Sequence, residues 1–412
     1  MSVVVSEKMN TFLSNLETPN SDLQLKAFYS LQELDFPTTQ NEYWKYTRLG
    51  KISGQQFSLN GGSQPQLDFS NYLVSTNYLV IENGEVRLDL SALNPAIKLN
   101  FFEGDTVSEQ ELFNAENDVF ALLNLAYFKK GIEVKFDKAA AEAPILQLIY
   151  LTTGERILSN QRLNLMVDKS VEAKMVITQI DLGGTGCFAN FQLNAQIAEN
   201  AHFTIHKIQH LGDRNLGITT EKIVQEKNST FKINTFTTSG LLVRNNINIS
   251  VEGENCSTYM NGAMIGKGKQ HIDNHTFVNH KVPKCYSNED YKYVMDEQST
   301  GVFNGRVVVQ KDAQVINAYQ NNGNILLSDD ASIYSKPELE IYADDVKCSH
   351  GSTTGQLDED ALFYLQARGI SKEKARKILV SAFLGGQLSA IDQEEISQLI
   401  EGILKKDFGW DF

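Results

Sequence analysis

The stretch Asn228-Ser229-Thr230-Phe231-Lys232-Ile233-Asn234-Thr235-Phe236 (NSTFKINTF) joins two signals: a turn-forming Asn followed by a small residue, then Phe231 and Ile233 alternating with polar residues. That alternation belongs to a strand with one buried face. The pair that precedes it recurs. Lys169-Ser170, Asn200-Ala201, Asn228-Ser229, Asn255-Cys256, Lys284-Cys285, Asp312-Ala313 and Asp330-Ala331 each stand near the start or middle of an alternating run, and their first positions are 31, 28, 27, 29, 28 and 18 residues apart. Stacked coils of a β-solenoid produce a nearly constant step, because each coil places its turn and a small inward residue at an equivalent site. A β-sandwich with similarly spaced strands carries the same local pattern and stays open at this point.

Period-two runs dominate from about Gly131, as in IEVKF, NLMV, KMVITQI, FTIHKI and RVVVQ, without the helical crossovers of βαβ units. The region before them is mixed. Ser21 and Gln24 make an S-x-x-Q capping box ahead of Leu25, Phe28, Leu31 and Leu34, and this helical stretch ends near Pro37. In VIENGEVRLDL (Val80 to Leu90), Asn83-Gly84 supplies the positive φ values of a tight hairpin.

Beyond Leu357 the period becomes helical. Asp358 caps a helix through LFYLQA that stops at Gly369, and Ser371 caps a second with Ala375, Ile378, Leu379, Ala382 and Phe383 on one face. Asp392 and Glu395 are placed as an acidic capping box, with Ile391 and Ile396 as its hydrophobic staple, for a third helix. Its apolar face is Ile396, Leu399, Ile400, Ile403 and Leu404. The expected organisation is an N-terminal helical and mixed domain over residues 1–130, a strand core over 131–350 and a helical C-terminal domain over 351–412. These amphipathic faces either cover one another and the strands, which is the plainer reading, or leave part of themselves for another protein.

The 412 residues include 37 basic and 51 acidic side chains, a formal charge of -14 that repels nucleic acid and anionic membranes. The start MSVVVSEKMN has no basic segment followed by a long apolar one, and nowhere do about 18 apolar residues run together. Cys187, Cys256, Cys285 and Cys348 are too scattered for a disulfide framework or paired CxxC zinc site. A soluble protein of a reducing cytoplasm is the expectation.

Nucleotide hydrolysis is disfavoured. Gly262 to Gly268 (GAMIGKG) lacks the spacing and hydroxyl of a phosphate-binding loop, and Gly183-Gly184-Thr185-Gly186 reads as a turn between strands. The densest polar cluster, QHIDNHTFVNHKVPKCYSNEDYK, contains His271, Asp273, His275, His280 and Cys285. On a strand the first three share a face and His280 points oppositely, so surface or turn histidines are the plainer reading and a metal site the sharper one. Cys256 and Cys285 occupy the small slot of the repeating pair, which favours packing.

In KCSHG (Lys347 to Gly351), an extended backbone puts Cys348 and His350 on one face and Ser349 on the other. Two donors cannot close a metal site, and a catalytic thiol would need a lowered pKa together with an orienting group. The stretch is either a turn with an incidental thiol or a half-site completed by a second subunit.

The run AYQNNGNILLSDDASIYSKPELEIYADDVKCSHGSTTGQLDEDALFYLQARGIS (Ala318 to Ser371) resembles the C-terminal signature of the SufB/SufD family of iron–sulphur cluster assembly proteins. DNHTFVNHKVPKCYSNEDYKYV, GVFNGRVVVQKDAQ and EYWKYTRL (Glu42 to Leu49) are similar to it too, and KCSHG has the form of the SufD branch. The longer cysteine-bearing N-terminal region expected of SufB has no counterpart in this sequence. Ser352 and Thr354 depart from the alanine and valine of the family motif.

The resemblance implies a mainly β fold, a right-handed parallel β-helix core flanked by helical N-terminal and C-terminal domains. It implies a non-catalytic scaffold subunit that pairs with SufB through the β-helix core, with the SufC ATPase docked on the C-terminal helices and ATP used by SufC. A transient cluster would form at the SufB interface, with His350 as the motif histidine and Cys348 as the adjacent motif cysteine; the chain would hold no cofactor of its own. A homodimer in isolation is a further expectation. The rival from another class is a β-helix carbohydrate-active enzyme, which expects export and a groove of paired carboxylates.

Overall fold

Each period-two run becomes one strand, and successive strands alternate between two sheets. In the computed structural model, which describes residues 6–61 and 66–410, one sheet has ten strands and the other nine. The segment MSVVV of the N-terminal start lies outside the described residues. From Gly131–Phe136 to Val346–Gly355 the strands make about eight coils. Pairing between neighbouring coils is parallel and in register: Asn234, for example, sits between His206 and Asn261. A sandwich joined by hairpins would pair antiparallel, so the parallel ladders decide for the solenoid.

The repeating pair forms one corner of the coil. Asn200, Asn228, Asn255 and Lys284 take φ values of 60°, 58°, 59° and 61°. Asn tolerates this left-handed region better than most residues. The backbone N–H of Asn200 donates to Lys227 O at 2.9 Å, that of Asn228 to Glu254 O at 2.8 Å and that of Lys284 to Gln314 O at 2.9 Å, so these three corners are each tied to the next. The small residue that follows is buried each time, giving a column of Ala201, Ser229, Cys256, Cys285 and Ala313.

Three pairs need correction. In the first coil the left-handed residue is Ser170 and the buried one Val171, a shift of one position. Val315 rather than Asp312 takes the left-handed conformation in a longer turn. Asp330-Ala331 lies at the opposite corner, between Ile316–Leu326 and Ser332–Ile341, which explains the short 18-residue step.

Helical regions cover the outer faces of the two sheets. Ser21 caps Asp22–Gln32, its Oγ accepting from Gln24 N at 3.4 Å, while the Gln24 side chain accepts from Ser21 Oγ at 3.2 Å through Oε1 and donates to Phe128 O at 2.9 Å through Nε2. Phe12, Phe28, Leu31, Phe120 and Leu123 then pack with Phe188, Leu216, Ile218 and Leu242 of the nine-stranded sheet. The Asn83-Gly84 hairpin forms with φ values of 50° and 85°. Its strand Asn77–Glu82 pairs with Leu146–Thr152 and so extends the ten-stranded sheet at that end.

At the other terminus, Asp358 and Ser371 cap Glu359–Ala367 and Lys372–Ser389. Ile396, Leu399, Ile400, Ile403 and Leu404 of Glu394–Phe408 are all buried, in a cluster that includes Val176, Ile208, Phe236, Ala263, Ile265 and Val294 on the outer face of the ten-stranded sheet. The second helix differs from expectation, burying Ala375, Val380, Leu384 and Gln387 and leaving Ile378 and Ala382 exposed. Polar ties set its rotation: Arg376 donates to Leu327 O at 3.0 Å and Gln387 to Asp290 Oδ2 at 2.7 Å. Asp392 does not cap the third helix; Gln393 stands at the N-cap without a side-chain bond, and the Asp392 carboxylate instead pairs with Lys174 on the sheet. Among the described residues no helix is long and apolar enough to cross a membrane.

Candidate functional site

Ser332–Ile341 and Val346–Gly355 form the last coil and are edge strands of their sheets. Alternation along Val346–Gly355 places Cys348 and His350 on the same, inward face, with Cys348 in register with Ala318 and His350 with Gln320. Inside the stack Ala318 and Gln320 are buried. Among the described residues no strand pairs beyond the last coil, and there Cys348 is half-buried and packs on the core while His350 is exposed.

The mouth of the coil is polar. Ser335 Oγ and Ser352 Oγ meet at 2.7 Å across it, and Asn324 Nδ2 donates to Thr353 O at 2.9 Å. Burial pushes the Cys348 thiol up, with a backbone hydrogen bond at Ala318 working the other way. That is the direction opposite to an activated nucleophile.

EYWKYTRL braces the outer wall of these final coils and leaves the end open. Tyr46 stacks on Tyr334 with ring centroids 4.5 Å apart, Lys336 Nζ reaches Glu42 Oε1 at 2.6 Å, and Arg306 donates to Tyr43 Oη at 2.6 Å while forking onto Glu340.

The histidine-rich strand His271–His280 is a different kind of site. Asp273 is fully buried and accepts from Thr47 Oγ1 at 2.5 Å and Arg244 Nη1 at 2.7 Å, with His275 Nε2 3.1 Å away. Thr47 Oγ1 is also 2.8 Å from His271 Nε2, and the Arg244 guanidinium lies 3.7 Å over the Trp44 ring. Burial alone would raise the Asp273 pKa, but Arg244 above all, with His275 and His271, holds it well below the usual carboxylate range. Burial also takes His271 down to about 4.

A carboxylate already committed to a guanidinium and a hydroxyl is structural, and among the described residues no group of three or more His, Cys, Asp or Glu converges as a metal site. His280 faces the solenoid interior, 3.0 Å from Ser287 Oγ, and Cys285 fills the small slot. Sequence reasoning missed Thr47 and Arg244 as partners of this strand. Thr47 lies within the quoted EYWKYTRL, but no local spacing links it to residues so far along the chain. It missed as well the ion pair buried inside the solenoid, Lys207 Nζ to Glu221 Oε1 at 2.7 Å.

Comparison with known proteins gives a consistent result. The family described as SUF system FeS cluster assembly, SufBD core domain, matches residues 150–383. The chain is 28% identical over 388 residues to the iron-sulfur cluster assembly protein SufD of Escherichia coli, covering 91% of this chain and 90% of that protein. It is 29% identical over 388 residues to an iron-sulfur cluster assembly SufBD family protein of Synechocystis, with 88% and 85% covered. Protein ABCI7, chloroplastic, of Arabidopsis thaliana is 31% identical over 240 residues, 58% of this chain and 50% of that one.

Proposed function

This chain belongs to the SUF-system family that shares the SufBD core domain, and on that premise we propose that it is a SufD-type, non-catalytic scaffold subunit of a cytoplasmic iron–sulphur cluster assembly complex. It pairs with SufB through the open end of the solenoid, and a nascent cluster is built between the two. The observation that carries this reading is His350, an exposed imidazole on an edge strand with no further strand paired beyond its coil among the described residues. A half-site of this kind acquires its remaining donors only from another subunit.

Neutral imidazole is a suitable iron donor, and beside a thiolate from SufB it gives mixed ligation suited to handing a cluster on. Cys348, half-buried and raised in pKa, serves as the packing neighbour of His350 more readily than as a second ligand. The SufC ATPase docks on the C-terminal helices, where Phe363 is 73% and Tyr364 58% exposed and Ile378 is left outside the core. ATP hydrolysis by SufC then supplies the conformational work, and this chain needs no cofactor of its own. Against the carbohydrate-enzyme alternative stand the relatives from Escherichia coli and Synechocystis, both named for iron-sulfur cluster assembly.

Coexpression with SufB and SufC, followed by reconstitution, tests the proposal. The three chains are expected to copurify, and His350→Ala is expected to leave the complex intact while abolishing cluster formation followed by Mössbauer spectroscopy. Recovery of this chain alone, as a homodimer, in repeated copurifications would overturn the complex. Cluster formation at the normal rate by the His350 variant would overturn the role of the imidazole.

A further inference from the structure

Glu289, Gln320 and His350 stand at one register position on three successive coils: Glu289 pairs with Gln320 in one ladder and Gln320 with His350 in the next. All three lie on the inward face of the ten-stranded sheet. Glu289 is fully buried and Gln320 is 3% exposed, whereas His350, at the end of the column, is open to solvent.

Among the described residues neither amide atom of Gln320 has a hydrogen-bond partner of ordinary geometry, nor does Glu289 Oε1; Glu289 Oε2 accepts from Thr276 Oγ1 at 2.7 Å. Buried amides left in that state are costly and uncommon. Gln320 nevertheless lies close enough to Glu289 to counter part of the burial that pushes this carboxyl up to about 7. Gly305, across the interior, is what leaves them room: a side-chain carbon there would come within 2.9 Å of both Gln320 Nε2 and Glu289 Oε2.

We infer that Gln320 is a positioning residue for His350: its amide N–H₂ donates downward to Glu289, and its carbonyl accepts the inner ring N–H of His350, leaving the outer ring nitrogen free to meet iron. The inference rests on the proposed role of His350 as an iron donor. An amide suits this place because it donates on one side and accepts on the other, serving the buried carboxyl of Glu289 and the exposed ring of His350 at once. Histidines that bind metals generally donate their second ring nitrogen to such a partner, which fixes tautomer and ring orientation. Here the partner belongs to the preceding coil, so solenoid register aims the ligand.

The test uses the full chain with ¹⁵N-labelled histidine, His350→Ala identifying the resonance. At pH 8 the wild-type His350 ring should show one dominant tautomer, and Gln320→Leu should return it to the averaged signal of a free imidazole. In the complex with SufB and SufC, Gln320→Leu should copurify normally yet slow cluster formation about 10- to 100-fold, the usual effect of losing such a partner. The same averaged signal in wild type and Gln320→Leu would overturn the inference, and the wild-type spectrum requires no substitution that could disturb folding. The outcomes separate cleanly: normal cluster formation by His350→Ala removes the iron role, whereas a tautomer insensitive to Gln320 removes only its positioning.

Discussion

Thr47 donates its hydroxyl to Asp273 at 2.5 Å, a bond between residues 226 positions apart. It joins EYWKYTRL to the histidine-rich strand, and through Asp273 it reaches Arg244, whose guanidinium lies over Trp44. The two motifs are thus the halves of one buried polar clasp that holds the N-terminal segment on the nine-stranded sheet.

The clasp predicts a hierarchy of stability losses. Asp273→Ala strands the buried Arg244 charge and should cost about 3–5 kcal/mol. Thr47→Val removes the hydroxyl that donates to Asp273 and meets His271 but strands no charge, and should cost about 1–3 kcal/mol. Urea unfolding of the two variants measures both; equal, small losses would show that the cluster does not hold the segment.

Acid sensitivity should come from buried histidines. Burial takes His280, His271 and His206 down to about 4. Their folded pKa lies below the unfolded value of about 6.5, so the fold favours the neutral rings. This contribution is complete above about pH 6.5, is lost as pH falls towards 4 and levels off below that. The slope is about 1.4 kcal/mol per pH unit for each proton taken up on unfolding. His280 stands between Val251 and Val309 in its ladder, so His280→Val should fit the column and reduce the measured slope by about one proton. An unchanged slope would assign the sensitivity elsewhere.

The corner residues make a local prediction. Asn228→Gly and Asn228→Val both lose the side-chain bonds to Asn200 and Asn255, but Gly accepts a φ of 58° without strain, so Val should be the less stable of the two by about 1–2 kcal/mol or more through left-handed strain. Thermal midpoints of the two variants give the comparison, and equal midpoints would remove the conformational explanation.

Thiol reactivity should distinguish structural from activated cysteine. Cys187, Cys256 and Cys285 are buried and Cys348 half-buried with a raised pKa. In the native chain, iodoacetamide should label Cys348 more slowly than a free thiol between pH 7 and 9, and the other three should react only after denaturation. Fast labelling of Cys348 at pH 7 would reopen the thiol-enzyme reading.

Much of this architecture is written locally. NSTFKINTF and its repeats specify strand, corner and small slot because alternation and left-handed turns are properties of a few adjacent residues. Caps at Ser21, Asp358 and Ser371 follow for the same reason. Asp392 misled because a carboxylate near a helix start can cap it or reach elsewhere, and here it found Lys174 on another element. The face buried by Lys372–Ser389 was equally undetermined, since Leu327 and Asp290, which orient it, lie outside the helix.

KCSHG shows the division most clearly. The sequence alone determined that Cys348 and His350 share a face and that two donors are too few. Tertiary structure decided that this face ends an unclosed coil, exposing His350, half-burying Cys348 and setting Gln320 and Glu289 beneath the imidazole. Those neighbours come from ladders that bring together residues about thirty positions apart, a distance over which strand periodicity alone does not specify who stands under whom.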